Sequence, residues 1–159
     1  MLSTYIGIDP ATHTGWAILD QDGKRLQSGV WDLSASRTEG SGMVYLKFEK
    51  QFRSLLELPF YDDYRVGYER YINHFPGAAQ PSAGIQGYIL GTCAAMGVRH
   101  VVGFAPKEIK LAATGKGNAS KAAMVQAARD RWQLYSSPFA EDEADALWIA
   151  ETLRRSLEQ

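Results

Sequence analysis

Four carboxylates in this chain stand at positions where a carboxylate is costly to keep. Asp9 ends the apolar run of "YIGID", and Glu69 ends "YRVGYE". Both runs read as buried strands, and a charge at such an end needs a partner or a cation. The other two lie in "PFAEDEADALWIAETLRRSLEQ", a segment of helical periodicity. At about 100° per residue, Ala146, Ile149, Ala150, Leu153 and Leu157 form one apolar stripe along it. Asp142 projects onto that stripe and Asp145 lies at its edge, whereas Glu143 is marginal and Glu141 falls outside. Acids in a first turn can simply complement the helix dipole, which accounts for Glu141 and Glu143. A dipole partner has no need to point inward, so Asp142 and Asp145 are read as functional.

Clustered carboxylates raise one another's pKa unless a cation is present. Hard divalent ions take oxygen ligands, and Mg²⁺ binds through a few carboxylates together with substrate phosphate. Two such ions about 4 Å apart activate a water and stabilise the leaving oxygen in phosphoryl displacement. Asp9, Glu69, Asp142 and Asp145 are therefore candidate ligands for Mg²⁺ or Mn²⁺.

A basic stretch accompanies them. Lys107, Lys110, Lys116 and Lys121 fall in "PKEIKLAATGKGNASK", with no acid between Lys110 and Lys121. Gly115, Gly117 and Asn118 permit close backbone approach, and Ser120 suits a helix cap with free N–H groups for a phosphate. Taken alone, the stretch reads as a solvated loop, and it lacks the spacing of a phosphate-binding P-loop. After the strand ending at Glu69, Arg70, Tyr71 and Phe75 offer stacking against bases. His13, His74 and His100 are scattered and give no metal-ligand pattern. The four tryptophans read as packing residues.

The elements that must position these groups follow from pattern. Strands are expected at 5–9, 15–20 and 27–33, the last two joined by an Asp22-Gly23 turn. Leu46, Phe52, Leu55 and Leu56 support a helix over 44–58, stopped by Pro59. A strand at 64–69, a chain break at 74–82, a Gly- and Ala-rich helix at 83–97 and a strand at 99–105 come next. Pro106 opens a short helix, a further helix runs 120–132, and Pro138 starts the last. Three strands followed by strand–helix alternation predict an α/β domain of three layers, α/β/α, with a mixed five-stranded sheet.

With 159 residues, 45% of them hydrophobic, the chain reads as one domain over 1–159. Cys93 is the single cysteine, which excludes a disulfide framework and a thiol metal cluster. No signal peptide or membrane-spanning run is legible, so a cytoplasmic setting is expected. The net charge of −1 gives no global signature for nucleic acid. A phosphate backbone meets only one face, however, and an acidic site beside a basic loop can hide within a neutral total.

Together, "GIDPATHTGWAI", "VGYERY", "KLAATGKGNASKAAMV" and "DEADALWIAE" resemble the RuvC family of Holliday junction resolvases, within the RNase H-like superfamily. The resemblance covers nearly the whole chain in order and spacing. Its first motif is also shared with actin-like ATPases, so the terminal D-x-x-D-A-L and the Gly/Lys loop carry most of the specificity. The resemblance implies a homodimeric endonuclease that cuts four-way DNA symmetrically with two Mg²⁺ or Mn²⁺ ions. Asp9, Glu69, Asp142 and Asp145 would be its catalytic carboxylates, with Lys121 at the scissile phosphate. Lys110, Lys121 and Tyr71 would fall where the family approaches DNA, and Lys107, Lys116 and Arg70 join them as DNA-binding candidates from the basic stretch and the strand end. The dimer helix would be the small-residue segment carrying Gly84, Gly87, Gly91, Ala94 and Ala95. Ala11 stands where the family usually has Gly after "DP", and the pI of about 6.3 is low for it. These departures fit a divergent branch of phage or prophage type. An RNase H-like nuclease for hybrids or other branched DNA, a nucleotide-binding ATPase module and a non-catalytic junction-binding protein are the competing readings. The ATPase fold needs two such domains, for which 159 residues are too few.

Overall fold

Strands open the chain: β1 (Ser3–Asp9), β2 (His13–Leu19) and β3 (Arg25–Asp32), followed by α1 (Met43–Leu56). Then come β4 (Asp63–Glu69), α2 (Gln80–Ala95), β5 (His100–Phe104), α3 (Pro106–Thr114), α4 (Lys121–Trp132) and α5 (Glu141–Leu157). The structure is a computed structural model that describes residues 2–59, 62–72, 80–135 and 141–159. The strands form one sheet in the order β3-β2-β1-β4-β5. β1 pairs antiparallel with β2 and parallel with β4, so the sheet is mixed as expected. α1 and α2 cover one face, and α3, α4 and α5 cover the other.

Side-chain alternation assigns the faces. Ile6 and Ile8 of β1, with Val66 and Tyr68 of β4, join Phe48, Phe52, Ile85 and Ile89 beneath α1 and α2. Tyr5, Ala17 and Leu19 join Ala146, Ile149, Ala150 and Leu153 beneath α5. Asp9 is two steps on from Gly7, and Glu69 two steps on from Gly67. Both carboxylates therefore turn to the α5 face. The parallel register pairs Ile8 with Tyr68, so Asp9 and Glu69 come one step later at the same sheet edge.

Glycine brings α5 down onto that edge. A β-carbon at Gly7 would overlap the Ala146 carbonyl oxygen, and one at Gly15 would overlap the Asp142 carbonyl. Gly15 is also the register partner of Asp9. The first turn of α5 thus rests on strand backbone, with no side chain between helix and sheet at these points.

Several boundaries differ from the sequence expectation. α2 starts at Gln80, ahead of the expected 83, because Pro81 sits in a first turn where no N–H is required. Leu46 is exposed, and Val44 and Phe48 supply the buried side of α1 instead. Leu157, the last residue of α5, leaves the expected stripe and is exposed. Gly84 is not an open approach point, because the Tyr45 ring covers it. Pro138, Phe75 and His74 lie outside the described residues.

Candidate active site

A cleft of about 360 Å³ at the carboxyl ends of β1 and β4 brings together residues from five separate segments. Asp9, Ala11, Glu69, Pro106, Lys110, Lys121, Asp142 and Asp145 all line it, with Ile109 and Met124 forming its apolar floor. The carboxylates arrive in two pairs. Asp9 and Glu69 come from adjacent parallel strands, whereas Asp142 and Asp145 share one side of the first turns of α5. All four are part-buried.

Electrostatics ties the group into one unit. Burial raises the Asp9 pKa well above the ordinary carboxylate range, and Glu69, Asp145 and Asp142 raise it further in that order. Asp145 is pushed up to about 7, first by burial and then by Glu69. Glu69 is raised by burial, with Lys110 and then Lys121 drawing it back down. Such mutual destabilisation of charge is relieved by a cation, and functional sites concentrate it.

Among the described residues, no three His, Cys, Asp or Glu side chains converge closely enough to ligate one ion. The donor set nevertheless fits divalent metal. Mg²⁺ keeps several waters and is usually held by one or two carboxylates with substrate phosphate, so it does not require an all-protein cage. Buried oxygen donors that repel one another are the chemistry such an ion satisfies.

The basic residues divide into two groups. Lys110 and Lys121 reach the cleft. Lys121 stands 78% exposed at the first turn of α4, with its Nζ 3.9 Å from Glu141. Ser120 caps that helix as expected, accepting from the Ala123 N–H at 3.1 Å. Lys107 and Lys116 are exposed outside the cleft. The Lys107 stem lies where a β-carbon on Gly117 would sit, so Gly117 accommodates this lysine. Arg70 and Tyr71 line an adjoining pocket of about 230 Å³ that shares Glu69 and Pro106 with the cleft. The Arg70 guanidinium lies 4.0 Å from Glu108, and Gln86 accepts from the Tyr71 N–H at 3.0 Å. His13 faces Asp32 at 3.5 Å and does not line the cleft.

Two features escaped sequence reasoning. Glu151, only 1% exposed, is gripped by Arg154 and Arg155. Arg155 also donates to the Ala112 carbonyl of α3, and Arg154 to the Gln21 carbonyl of the β2–β3 turn. This clamp fixes the far end of α5. The glycines beneath α5 were the second omission; their spacing within strands was the only available signal.

Residues 5–153 match the family described as "Crossover junction endodeoxyribonuclease RuvC". The protein of that name from Synechococcus sp. (strain WH7803) is 26% identical over 151 residues, covering 92% of this chain and 95% of its own. That from Anaeromyxobacter sp. (strain K) is 43% identical over 79 residues, covering 48% of this chain and 42% of its own. Among solved structures, Thermus thermophilus RuvC in complex with Holliday junction substrate matches with a TM-score of 0.76. It is 23% identical, with 99% of this chain and 96% of that chain covered.

Proposed function

This chain belongs to the RuvC family of crossover junction endodeoxyribonucleases, and from that premise we propose how its own residues bind and cut a four-way DNA junction. The family is one of metal-dependent nucleases. Asp9, Glu69, Asp142 and Asp145 would hold two divalent ions, Mg²⁺ or Mn²⁺, which supply an activated water and stabilise the leaving 3′ oxygen. The observation that carries this reading is the electrostatic coupling of Asp9 to Glu69, Asp145 and Asp142 within one cleft.

Lys110 and Lys121 set positive charge at the cleft wall, where the scissile phosphate brings negative charge. Lys121 exchanges Glu141 for that phosphate and meets the charge that develops on it. Ile109 and Met124 leave the cleft floor without competing hydrogen bonds. Lys107 and Lys116 hold the DNA backbone outside the cleft, a contact that positions without reading sequence. Arg70 and Tyr71 border the adjoining pocket and take the nucleotide beside the cut.

Residues 1–159 act as one nuclease domain, paired into a homodimer through the outer face of α2. There Gly87 and Gly91 have open space above them, and Tyr88 and Leu90 are exposed. A two-fold dimer places two clefts on opposed strands of a two-fold junction.

The test is cleavage of a synthetic immobile four-way junction, with Mg²⁺, Mn²⁺ or EDTA, beside matched duplex and RNA–DNA hybrid. Paired, symmetric, metal-dependent nicks confined to the junction are expected. Preferential cutting of hybrid would transfer the same metal site to another substrate, and tight binding without cleavage under either metal would refute catalysis.

A further inference from the structure

Glu143 follows Asp142 directly, and the sequence pattern leaves it only a share in the helix dipole. The structure gives it more. Its side chain is 14% exposed, and its Oε1 accepts a 2.5 Å hydrogen bond from Ser28 Oγ on β3. Ser28 Oγ in turn accepts from Arg25 Nε at 2.5 Å, and Arg25 Nη2 lies 3.8 Å from the same Glu143 oxygen. A dipole partner needs none of these contacts.

The relay crosses to a distant part of the chain and joins the strand at the sheet edge to the helix carrying two site carboxylates. Ser28 is in register with Ala17, and Ala17 with Gly7, so the tether stands on the strand row that α5 overlies. Glu143 and Asp145 are two residues apart, about 200° around a helix. The tether therefore holds the β3 side of the turn, while Asp145 lines the cleft with Glu69 on the other. Contact over Gly15 sets the height of this turn above the sheet. That contact and the one over Gly7 hold α5 down on the sheet, and the tether adds a sideways hold on its first turn, whose rotation would move Asp142 and Asp145 together. Arg25 also keeps the Glu143 carboxylate engaged away from the cleft, which Glu143 does not line.

We propose that Glu143, held by Ser28 and Arg25, is a positioning residue that fixes the rotation of the first turn of α5. It thereby sets how tightly Asp142 and Asp145 hold a divalent ion. This rests on reading the site carboxylates as metal ligands.

The test measures Mn²⁺ binding to the full chain without DNA, by electron paramagnetic resonance, for wild type, Glu143→Ala, Glu143→Gln, Ser28→Ala and the Ser28→Ala/Glu143→Ala pair. Circular dichroism melts establish that each is folded. Glu143→Ala is expected to weaken Mn²⁺ binding on the order of 10-fold, the low end for residues that orient metal ligands. Glu143→Gln retains most of the affinity, because its amide oxygen still accepts the Ser28 hydroxyl. The double variant matches the single ones, since either change breaks the same tether. Ser28→Ala breaks it from β3 and decides the matter should Glu143→Ala fail to fold. Junction cleavage in folded variants drops at low Mn²⁺ and recovers at saturation. Unchanged Mn²⁺ affinity on breaking the tether, additive losses in the double variant, or equal loss in Glu143→Gln and Glu143→Ala would each overturn the proposal. Wild type that binds no Mn²⁺ would instead overturn the metal reading and this inference with it.

Discussion

Asp145→Asn should make the metal-free protein more stable above neutral pH while abolishing its usefulness as a metal site. Folded Asp145 takes up its proton at about 7, against an ordinary value of 3.8. Between those values the folded state binds more protons than the unfolded state, so stability falls as pH rises from about 4 to about 7. A shift of about 3 units corresponds to an upper bound of about 4 kcal/mol. Water at the cleft mouth screens part of the repulsion, leaving about 2 kcal/mol for the neutral asparagine to recover. For a chain of this size that is about 6 °C in Tm. Thermal melts in EDTA, stepped from pH 4.5 to pH 8.5, read the effect directly. Wild type and variant should differ least at pH 4.5 and move further apart as pH rises, to about 6 °C at pH 8.5. Saturating Mg²⁺ should raise the wild type and close the gap, because the cation replaces the proton as the partner of the carboxylates. A variant no more stable than wild type at pH 8.5, or a gap independent of pH, would refute the reasoning.

The remaining predictions concern how the site is held and used. Gly7→Ala places a methyl against the α5 backbone at Ala146, which cannot yield as a flexible side chain would; a loss of about 3 kcal/mol is expected in denaturant unfolding, with cleavage reduced alongside. Glu151→Ala strands two arginines at the far end of α5, and because Arg155 can relax to solvent the expected cost is about 2–3 kcal/mol, read as a lower urea midpoint at unchanged slope. Glu141→Gln removes the exposed partner of Lys121 and should tighten junction binding about 2- to 3-fold at low salt, a gain that fades as salt rises.

The site's residues were legible because their types were anomalous for their places. An acid closing an apolar run, as at Asp9 and Glu69, or lying on a helix's buried side, as at Asp142, stands out against a periodicity of two or 3.6 residues. The succession of strands and helices along the chain and the three layers followed from the same periodicities, and Pro106 and Ser120 marked helix starts where the structure has them. What stayed hidden depends on contacts between distant segments. Glu143 became visible only when β3 stood beside α5, as Ser28 and Glu143 are 115 residues apart. Glu151 reads as one more polar residue until Arg154 and Arg155 wrap it. Gly84 looked open until the Tyr45 ring from α1 was in place. Local pattern reports which face a residue takes, and only the assembled layers report what meets it there.

The most direct test of the account is Asp9→Asn on an immobile four-way junction, with binding by gel shift and cleavage in Mg²⁺ measured on one preparation. Asp9 is the carboxylate on which the other three act, so its charge should be needed for metal and not for the DNA contacts of the lysines. Cleavage should fall by a factor on the order of 1,000 or more, roughly 4 kcal/mol of lost barrier lowering, while junction affinity stays within about 2-fold. Cleavage retained near the wild-type rate, or binding lost together with cleavage in a folded variant, would contradict it.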